Sequence, residues 1–251
     1  MRMLVVGTVA AVAGLALLPA PREHPAPSPG ARAGAAGAVA GHERLPGFVA
    51  LRDVDPSVAE DVRYAGVRNF TRGVVDGYEE PVCLLARPAA EALRRAQGDL
   101  LRGGYSLKVY DCYRPRRAVD RFVRWAGEPD DPEAKAEHYP GVAKSRLIAE
   151  GYIAAESAHS RGSTVDVTLV ALPARREVDM GTAFDFFGPE SHTDAPGTAA
   201  AARENRRLLR RVLGARGFVN LPQEWWHFTL RPEAFPGTAF DVPVSVAAVR
   251  P

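Results

Sequence analysis

Two short segments of the 251-residue sequence carry side chains whose types and spacing are typical of a metal site. In the first, His159 precedes Asp166 by seven residues, and in the second, Glu224 precedes His227 by three. Two imidazoles and one carboxylate form a common catalytic zinc set, because three protein ligands leave a fourth position open. Zinc lowers the pKa of water at such a position to about 7, which permits hydrolysis at neutral pH. The residues therefore predict a hydrolytic metal centre.

The two cysteines offer an alternative, because a structural metal site would need a fourth protein ligand. Cys83 and Cys112 have the soft donors for it, but neither belongs to a Cys-x-x-Cys pair, so a cysteine-containing zinc site is the weaker alternative. A histidine taken alone can equally be a hydrogen-bonded residue of the core or the surface. The flanking residues must decide between these interpretations.

The elements that position these groups follow from hydrophobic periodicity. Periodicity and turn residues predict helices over 88–101, from Arg116 to about Trp125 and from Thr198 to Ala215, and strands over Leu107–Asp111, Thr164–Val170 and Trp225–Leu230. No internal repeat is present. The helices between strands differ in length, which favours an α+β fold. We expect one compact domain with a small mixed or antiparallel sheet, flanking helices and a central zinc site.

The last predicted strand constrains three neighbouring residues. Residues three apart on an ideal strand face opposite sides, so Glu224 must precede the regular strand or lie on a bend to reach the metal beside His227. Trp225 and Trp226 should alternate across the strand, one packing in the core and the other lining the site.

Charge and composition exclude several functional classes. The chain is 46% hydrophobic and 25% charged, which is typical of a soluble globular protein. Without the three arginines and one glutamate of residues 1–41, it has 29 basic and 29 acidic residues, so nothing indicates nucleic acid or an anionic membrane as a partner. The arginines of helix 198–215 are expected to form a solvated face, and His138, in a loop-like segment, is expected to be exposed. The oligomeric state stays open.

The amino terminus predicts export. Residues 1–20 resemble a signal peptide, with Arg2 followed by an apolar run from Leu4 to Leu18, shorter than the roughly 20 residues that span a membrane. Residues 21–41 form an Ala/Pro/Gly-rich linker, and residues 42–251 the folded domain. We expect a secreted or extracytoplasmic protein without stable membrane insertion after cleavage; an uncleaved anchor is the alternative. An oxidising compartment would permit the two cysteines to pair if they lie close enough.

Five sequence blocks, in the same order, resemble the zinc D-alanyl-D-alanine dipeptidases of the VanX type. The blocks are SAHSRGSTVDVTL, YDCYRP, EWWHF, NFTRGVVDGYE from Asn69 to Glu79, and MGTAFDFFGPESH from Met180 to His192. The resemblance extends from about residue 48 to 243. The wider family also includes D,D-carboxypeptidases, phage endolysins and the catalytically silent amino-terminal domain of hedgehog proteins. The resemblance therefore defines the metal site more firmly than the substrate.

The resemblance implies one Zn²⁺ per chain and a set of catalytic roles. Glu224 would be the general base that takes a proton from the attacking water and passes it to the leaving amine. Arg114 would stabilise the oxyanion of the tetrahedral intermediate, and Asp111 would orient its guanidinium. The implied zinc ligands are His159, Asp166 and His227.

The resemblance also implies a binding site for both ends of a zwitterionic dipeptide. Ser157 and Tyr152 would lie near the substrate carboxylate, and Asp185 and Tyr78 near its ammonium group. The side chains of D-alanine are methyl groups, so the pocket should be small and should exclude longer peptides by its size.

The implied reaction is hydrolysis of D-alanyl-D-alanine to two D-alanines. An exported enzyme would meet dipeptide released from the cell wall and would serve salvage, so glycopeptide resistance is not inferred. One alternative is a D,D-carboxypeptidase or endopeptidase that trims peptidoglycan stem peptides. Another is a zinc-stabilised binding module without turnover, which the presence of both Glu224 and Arg114 disfavours.

Overall fold

The computed structural model describes residues 44–250, so the predicted signal peptide and linker lie outside the described residues. The strands are Phe48–Ala50 (β1), Ala59–Glu60 (β2), Leu84–Ala86 (β3), Tyr105–Asp111 (β4), Thr164–Ala171 (β5), Arg176–Glu177 (β6), Phe218–Asn220 (β7) and His227–Leu230 (β8). The α-helices are Leu51–Val54 (α1), Arg87–Arg102 (α2), Arg116–Ala126 (α3), Pro132–His138 (α4) and Ala200–Gly214 (α5).

The main sheet is mixed. Its strand order is β2-β4-β5-β8-β7, with β6 paired to one end of β5. The β2–β4 pair is parallel, and the other pairs are antiparallel. A separate antiparallel pair is formed by β1 and β3. With helix α2 packed against β4, and α5 against β5 and β7, this architecture confirms the predicted compact α+β domain with a mixed sheet and helices.

Strand β5 lies between β4 and β8, and its two faces differ in chemistry. Side chains alternate along a strand, so Val165, Val167 and Leu169 share one face, where they are fully buried in the apolar core. The opposite face carries Asp166 between Thr164 and Thr168. A carboxylate on an otherwise buried central strand needs a partner. The fold therefore places a charged group where a ligand or counter-charge must meet it.

The predicted last strand is too long at its start. β8 begins at His227, because residues 221–227 form a tight turn in which the backbone N–H of His227 donates to the carbonyl oxygen of Glu224. Trp225 and Trp226 precede the strand, and both are buried with their rings nearly perpendicular. Trp226 does face the site, but the turn aims it there and not strand alternation.

The solvated arginine face is a wrong prediction at one position. Arg206 in α5 is 1% exposed, and its Nε and Nη1 donate to the carbonyl oxygens of Met180 and His192 at 2.6 and 2.7 Å. The buried loop carbonyls supply the acceptors that let a guanidinium leave water. Within residues 44–250, none of the helices has the length and apolar character needed to cross a membrane.

A disulfide joins Cys83 to Cys112, with their Cα atoms 5.3 Å apart. Cys83 precedes β3 in the small sheet, and Cys112 follows β4 in the main sheet. Both cysteines are therefore used in a covalent link and are not metal ligands.

Candidate functional site

Strand register brings three of the predicted site residues into one row. Asp166 on β5 is paired with Asp111 on β4 and with His227 on β8. Residues directly opposite each other in neighbouring strands have side chains on the same face of the sheet. A register shift between Val109 and Asp111 turns the Asp111 side chain onto this face. The sheet therefore aligns two carboxylates and an imidazole over three adjacent strands.

A 3-10 turn immediately before β5 supplies the fourth group, His159. The Ser157 side chain caps this turn by accepting a hydrogen bond from the backbone N–H of His159 at 3.3 Å. Gly162 ends the turn with a positive φ of 74°, and a Cβ there would lie 2.1 Å from the ring of Phe48. Only glycine fits this position, so the spacing of the motif is set by both conformation and close packing.

The ring nitrogens of the two histidines converge on Asp166. Nε2 of His159 lies 3.3 Å from Nδ1 of His227, and each lies 3.2 Å from an oxygen of Asp166. Nδ1 of His159 donates a hydrogen bond to the carbonyl oxygen of Cys112 at 2.6 Å. In the neutral ring, Nε2 is then unprotonated, and its lone pair can bind a metal. His159, Asp166 and His227 thus offer three ligand atoms within 4.8 Å of one another.

Two observations indicate that His159, Asp166 and His227 could bind zinc. Tetrahedral zinc with bonds of about 2.0–2.1 Å requires ligand atoms about 3.3 Å apart, which agrees with the observed separations. Oδ1 of Asp166 is buried and makes no hydrogen bond among residues 44–250. Nδ1 of His227 lies 3.2 Å from it, and a cation bound by both atoms would satisfy this oxygen. Burial opposes ionisation of Asp166, but the neighbouring His159 and His227 hold its pKa well below the usual value.

Arg114 lies beside the three ligand residues and is held by a carboxylate. Its Nε and Nη2 are both 2.9 Å from Oδ2 of Asp111, and Nη2 is 3.5 Å from Asp166. The guanidinium also packs on the ring of Tyr64, 5.0 Å from its centroid. The remaining N–H groups of this fixed cation can face a ligand in the cavity.

Tyr78, which was predicted to contact the substrate, lies behind the wall of the cavity. Its hydroxyl donates to Oδ1 of Asp111 at 2.6 Å, and its side chain does not line the cavity. Tyr78 therefore supports the Asp111–Arg114 pair from behind the cavity. The motif spacing placed it in the right region but gave no information on the direction of its side chain.

Glu224 lies in the turn before β8, as the strand geometry requires. Its Oε2 is 3.4 Å from Nδ1 of His227. Burial raises the pKa of Glu224 to about 7, with His227 and Arg114 opposing this shift and Asp166 adding to it. A carboxylate with such a pKa can both accept and return a proton near neutral pH.

These residues surround a cavity of about 250 Å³. Its volume is below the roughly 300–1,000 Å³ of cavities that take drug-sized ligands. Besides the three candidate metal ligands, the predicted residues that line it are Arg114, Glu224, Tyr152, Ser157 and Asp185. The structure thus gathers all predicted residues except Asp111 and Tyr78, which lie one layer behind.

Asp185 is a buried acid in the lining of the cavity, and it is bound by Tyr64, which was not among the predicted site residues. Asp185 is 5% exposed, has a positive φ of 58°, and accepts a hydrogen bond from the hydroxyl of Tyr64 at 2.8 Å. Burial and the charge of Asp166 raise the pKa of Asp185 well above its usual value. Tyr64 lines the cavity, and its only sequence signal is its position shortly before the block that begins at Asn69.

His138 was expected to be exposed, but it is buried. It is 5% exposed, and its Nδ1 lies 3.0 Å from the carbonyl oxygen of Asp185. The backbone N–H of Phe187 donates to the carbonyl oxygen of His138 at 2.6 Å. Because α4 packs onto the 185–187 segment, a histidine whose sequence context is typical of a loop is buried against the wall of the cavity.

Known proteins similar to this chain share one description. A family model of the M15 peptidases, described as D-Ala-D-Ala dipeptidase, matches residues 44–245. The D-alanyl-D-alanine dipeptidase of Enterococcus faecalis is 43% identical over 199 residues, which are 79% of this chain and 98% of that protein. Those of Enterococcus faecium and Streptomyces coelicolor are each 40% identical over 198 residues, with the same two coverages. The family match covers nearly all of the described residues.

Proposed function

The chain belongs to the M15 family of D-Ala-D-Ala dipeptidases, which are metallopeptidases, and from this premise we propose that it hydrolyses free D-alanyl-D-alanine to two D-alanines. The observation that carries the proposal is the convergence of three metal-ligand side chains, a buried glutamate and a fixed arginine on one small cavity. A binding module without turnover would need neither the glutamate nor the arginine.

We propose that His159, Asp166 and His227 hold one zinc ion. Two imidazole nitrogens and one carboxylate oxygen suit zinc, and three protein ligands leave a position open. Bound zinc would supply a Lewis acid and would lower the pKa of water at that position to about 7. The buried Oδ1 of Asp166, which makes no hydrogen bond among the described residues, supports this assignment.

Glu224 is the proposed general base. In its deprotonated form it accepts the proton of the attacking water, and it then donates that proton to the amine that leaves. The pKa of about 7 suits both steps, because neither direction of transfer is strongly uphill. Its position next to His227 keeps the carboxylate within reach of the metal side of the cavity.

Arg114 is the proposed oxyanion stabiliser. Negative charge grows on the carbonyl oxygen as water adds, so a fixed cation there binds the transition state more strongly than the substrate. Asp111 holds the guanidinium through Oδ2, and Tyr78 holds Asp111 through Oδ1. This chain of hydrogen bonds orients the charge before the substrate binds.

The walls of the cavity favour a free dipeptide. Asp185 would bind the substrate ammonium group, and Ser157 with Tyr152 would lie near its carboxylate. Asp185 is buried and bonded to Tyr64, so its charge would be paired by the ammonium group of a free dipeptide but not by the amide that a stem peptide has at the same place. This unpaired buried charge supports a dipeptidase over a D,D-carboxypeptidase.

We propose that the protein is exported and serves salvage of wall-derived dipeptide. The apolar run after Arg2 and the Cys83–Cys112 disulfide both support an oxidising compartment. A fusion of residues 1–41 to a phosphatase that is active only outside the cytoplasm tests this. Phosphatase activity in intact cells is expected, and activity equal to a fusion without residues 1–41 would contradict export.

The reaction is tested by incubating the purified chain with free D-alanyl-D-alanine and, separately, with an acylated stem pentapeptide. Release of D-alanine from the dipeptide alone is expected, with loss of activity under a chelator and recovery on addition of zinc. Release from the pentapeptide alone would identify a D,D-carboxypeptidase instead. Release from neither substrate by zinc-loaded protein would contradict the proposed function.

A further inference from the structure

The segment that follows β4 binds His159 at two points. The carbonyl oxygen of Cys112 accepts the hydrogen bond from Nδ1 of the His159 ring at 2.6 Å. The backbone N–H of Arg114 lies 3.4 Å from the carbonyl oxygen of His159, within hydrogen-bond reach. The position of residues 112–114 therefore sets both the tautomer and the orientation of the ring.

This segment is held by more than the main sheet. The regular pairing of β4 with β5 ends at Asp111, directly after the register shift. Beyond that point, the backbone N–H of Tyr113 donates to the carbonyl oxygen of Leu84 in β3 at 2.9 Å. The disulfide from Cys112 to Cys83 is the covalent link at the same place.

The small β1–β3 sheet also supports the turn that carries His159. Gly162 at the end of this turn lies against the ring of Phe48 in β1. Its carbonyl oxygen accepts a hydrogen bond from the backbone N–H of Ala86 in β3 at 2.8 Å. The small sheet thus contacts both chain segments that orient His159, and the disulfide fixes the distance between the sheet and one of them.

We propose that the Cys83–Cys112 disulfide is a positioning element for the metal ligand His159, so that the chain acquires its full metal affinity only after these cysteines are oxidised. The inference rests on the ligand role proposed above for His159. Partners that orient a metal-bound histidine typically change metal affinity or activity by about 10–100-fold when removed.

Burial protects this disulfide from reduction in the folded protein. Cys83 is fully buried and Cys112 is 2% exposed, so an external thiol cannot reach either sulfur in the folded protein. The bond forms during folding, when the two thiols lose two protons and two electrons. Glutathione disulfide can accept them and is thereby reduced to two glutathione thiols.

The test compares the full chain with its Cys83→Ala/Cys112→Ala double variant. Zinc is stripped from both, and the Kd for zinc is measured by competition with a chromogenic chelator, well below the melting temperature of the variant. We expect zinc binding about 10–100-fold weaker in the variant. With saturating zinc, kcat should fall while KM stays unchanged, because the disulfide does not line the cavity.

A matched control separates positioning from general stability. Leu213→Ala removes a fully buried side chain in α5, remote from the turn that carries His159, and should lower the melting temperature without changing the Kd for zinc. If the double variant binds zinc as tightly as the parent, the proposal is wrong. It is equally wrong if Leu213→Ala weakens zinc binding as much.

A second measurement applies if the double variant does not fold. The parent chain is unfolded, reduced and refolded either with glutathione disulfide or with its free cysteines kept reduced, and thiols are counted in both products. The reduced product keeps both sulfur atoms, so it leaves no cavity. We expect it to bind zinc at least 10-fold more weakly, and equal affinity would overturn the proposal. Zinc binding by the parent without dipeptide hydrolysis would instead contradict the proposed function alone.

Discussion

The metal side and the substrate side of the cavity are built in different ways. On the metal side, Asp166 and His227 lie opposite each other on paired strands, so backbone hydrogen bonds set the distance between them. On the substrate side, Asp185 lies in a loop with a positive φ and depends on the side chains of Tyr64 and His138. The geometry of the proposed metal site is therefore encoded by strand register, and that of the proposed substrate contacts by tertiary packing.

The largest effect is expected on the metal side, from removal of the proposed base. Glu224→Gln keeps the size of the side chain but cannot accept the proton of water. We expect kcat for D-alanyl-D-alanine to fall by about 10²–10⁴, with KM and bound zinc little changed. Steady-state kinetics with metal analysis of the same sample measures all three.

Gln223→Glu in the same turn provides the matched control, because residue 223 does not line the cavity. Activity of Glu224→Gln within a few-fold of the parent would remove Glu224 from the mechanism. Loss of zinc together with loss of activity would show instead that Glu224 is part of the metal site.

The second prediction concerns Arg114, which both sides of the cavity share. Arg114→Lys keeps the charge but loses the planar fork that binds Asp111. We expect kcat to fall by about 10²–10³, because the stabilisation acts on the transition state, and KM to change little. The control, Arg124→Lys at an exposed ion pair with Asp76, should behave like the parent. A rise in KM without a fall in kcat would assign Arg114 to substrate binding.

The same contrast explains what the sequence could predict. The spacing of His159 and Asp166 reflects a turn and a strand, which local sequence determines, so the donor set could be identified without coordinates. Tyr78 was expected near the substrate ammonium group, but a motif does not give the direction of a side chain, and the Tyr78 hydroxyl is bonded to Asp111. His138 was expected to be exposed, because its burial depends on how α4 docks onto residues distant in sequence.

The elements of the fold likewise divide into those that local sequence determines and those that depend on other contacts. Helices α2 and α3 and strands β4 and β5 have strong periodicity and agree with the prediction to within a few residues. Short strands such as β7, and the true start of β8, depend on hydrogen bonds from the side chain of Asn220 to the carbonyl oxygens of Glu224 and His227. Hydrophobic periodicity gives no information on such bonds from a side chain to the backbone.

The third prediction tests the substrate side directly. Asp185→Asn removes the charge that would bind the substrate ammonium group and leaves the acceptor of the Tyr64 hydroxyl in place. A charge-assisted hydrogen bond contributes about 1.5–3 kcal/mol, so KM should rise roughly 10–100-fold while kcat changes less. Initial rates over a range of dipeptide concentrations measure the split. A fall in kcat with unchanged KM would contradict the assignment.

The raised pKa of Asp185 adds a pH dependence. The ionised form binds the ammonium group, so KM should rise as the pH falls through this pKa, at a higher pH than for an ordinary aspartate. In Asp185→Asn, KM should be high and independent of pH over the same range. A parent KM that does not rise as the pH falls would show that Asp185 does not bind the substrate as a carboxylate.

The smallest expected effect belongs to His138, which acts through Asp185. His138→Ala removes the donor to the Asp185 carbonyl oxygen, and KM should rise about 3- to 10-fold with kcat nearly unchanged. His138→Asn offers an amide donor near the position of Nδ1 and should restore part of the affinity. Equal KM values for the Ala variant and the parent would show that the loop holds Asp185 without this bond.

The proposed zinc site holds one ion on His159, Asp166 and His227, beside Glu224. Its most direct test is zinc titration of the metal-stripped parent and of His227→Ala, with stoichiometry and Kd read by competition with a chromogenic chelator. We predict one zinc per parent chain and binding weaker by at least about 100-fold in His227→Ala, with dipeptide hydrolysis lost in parallel. Fully active parent protein without zinc, or unchanged zinc affinity in His227→Ala, would contradict the account.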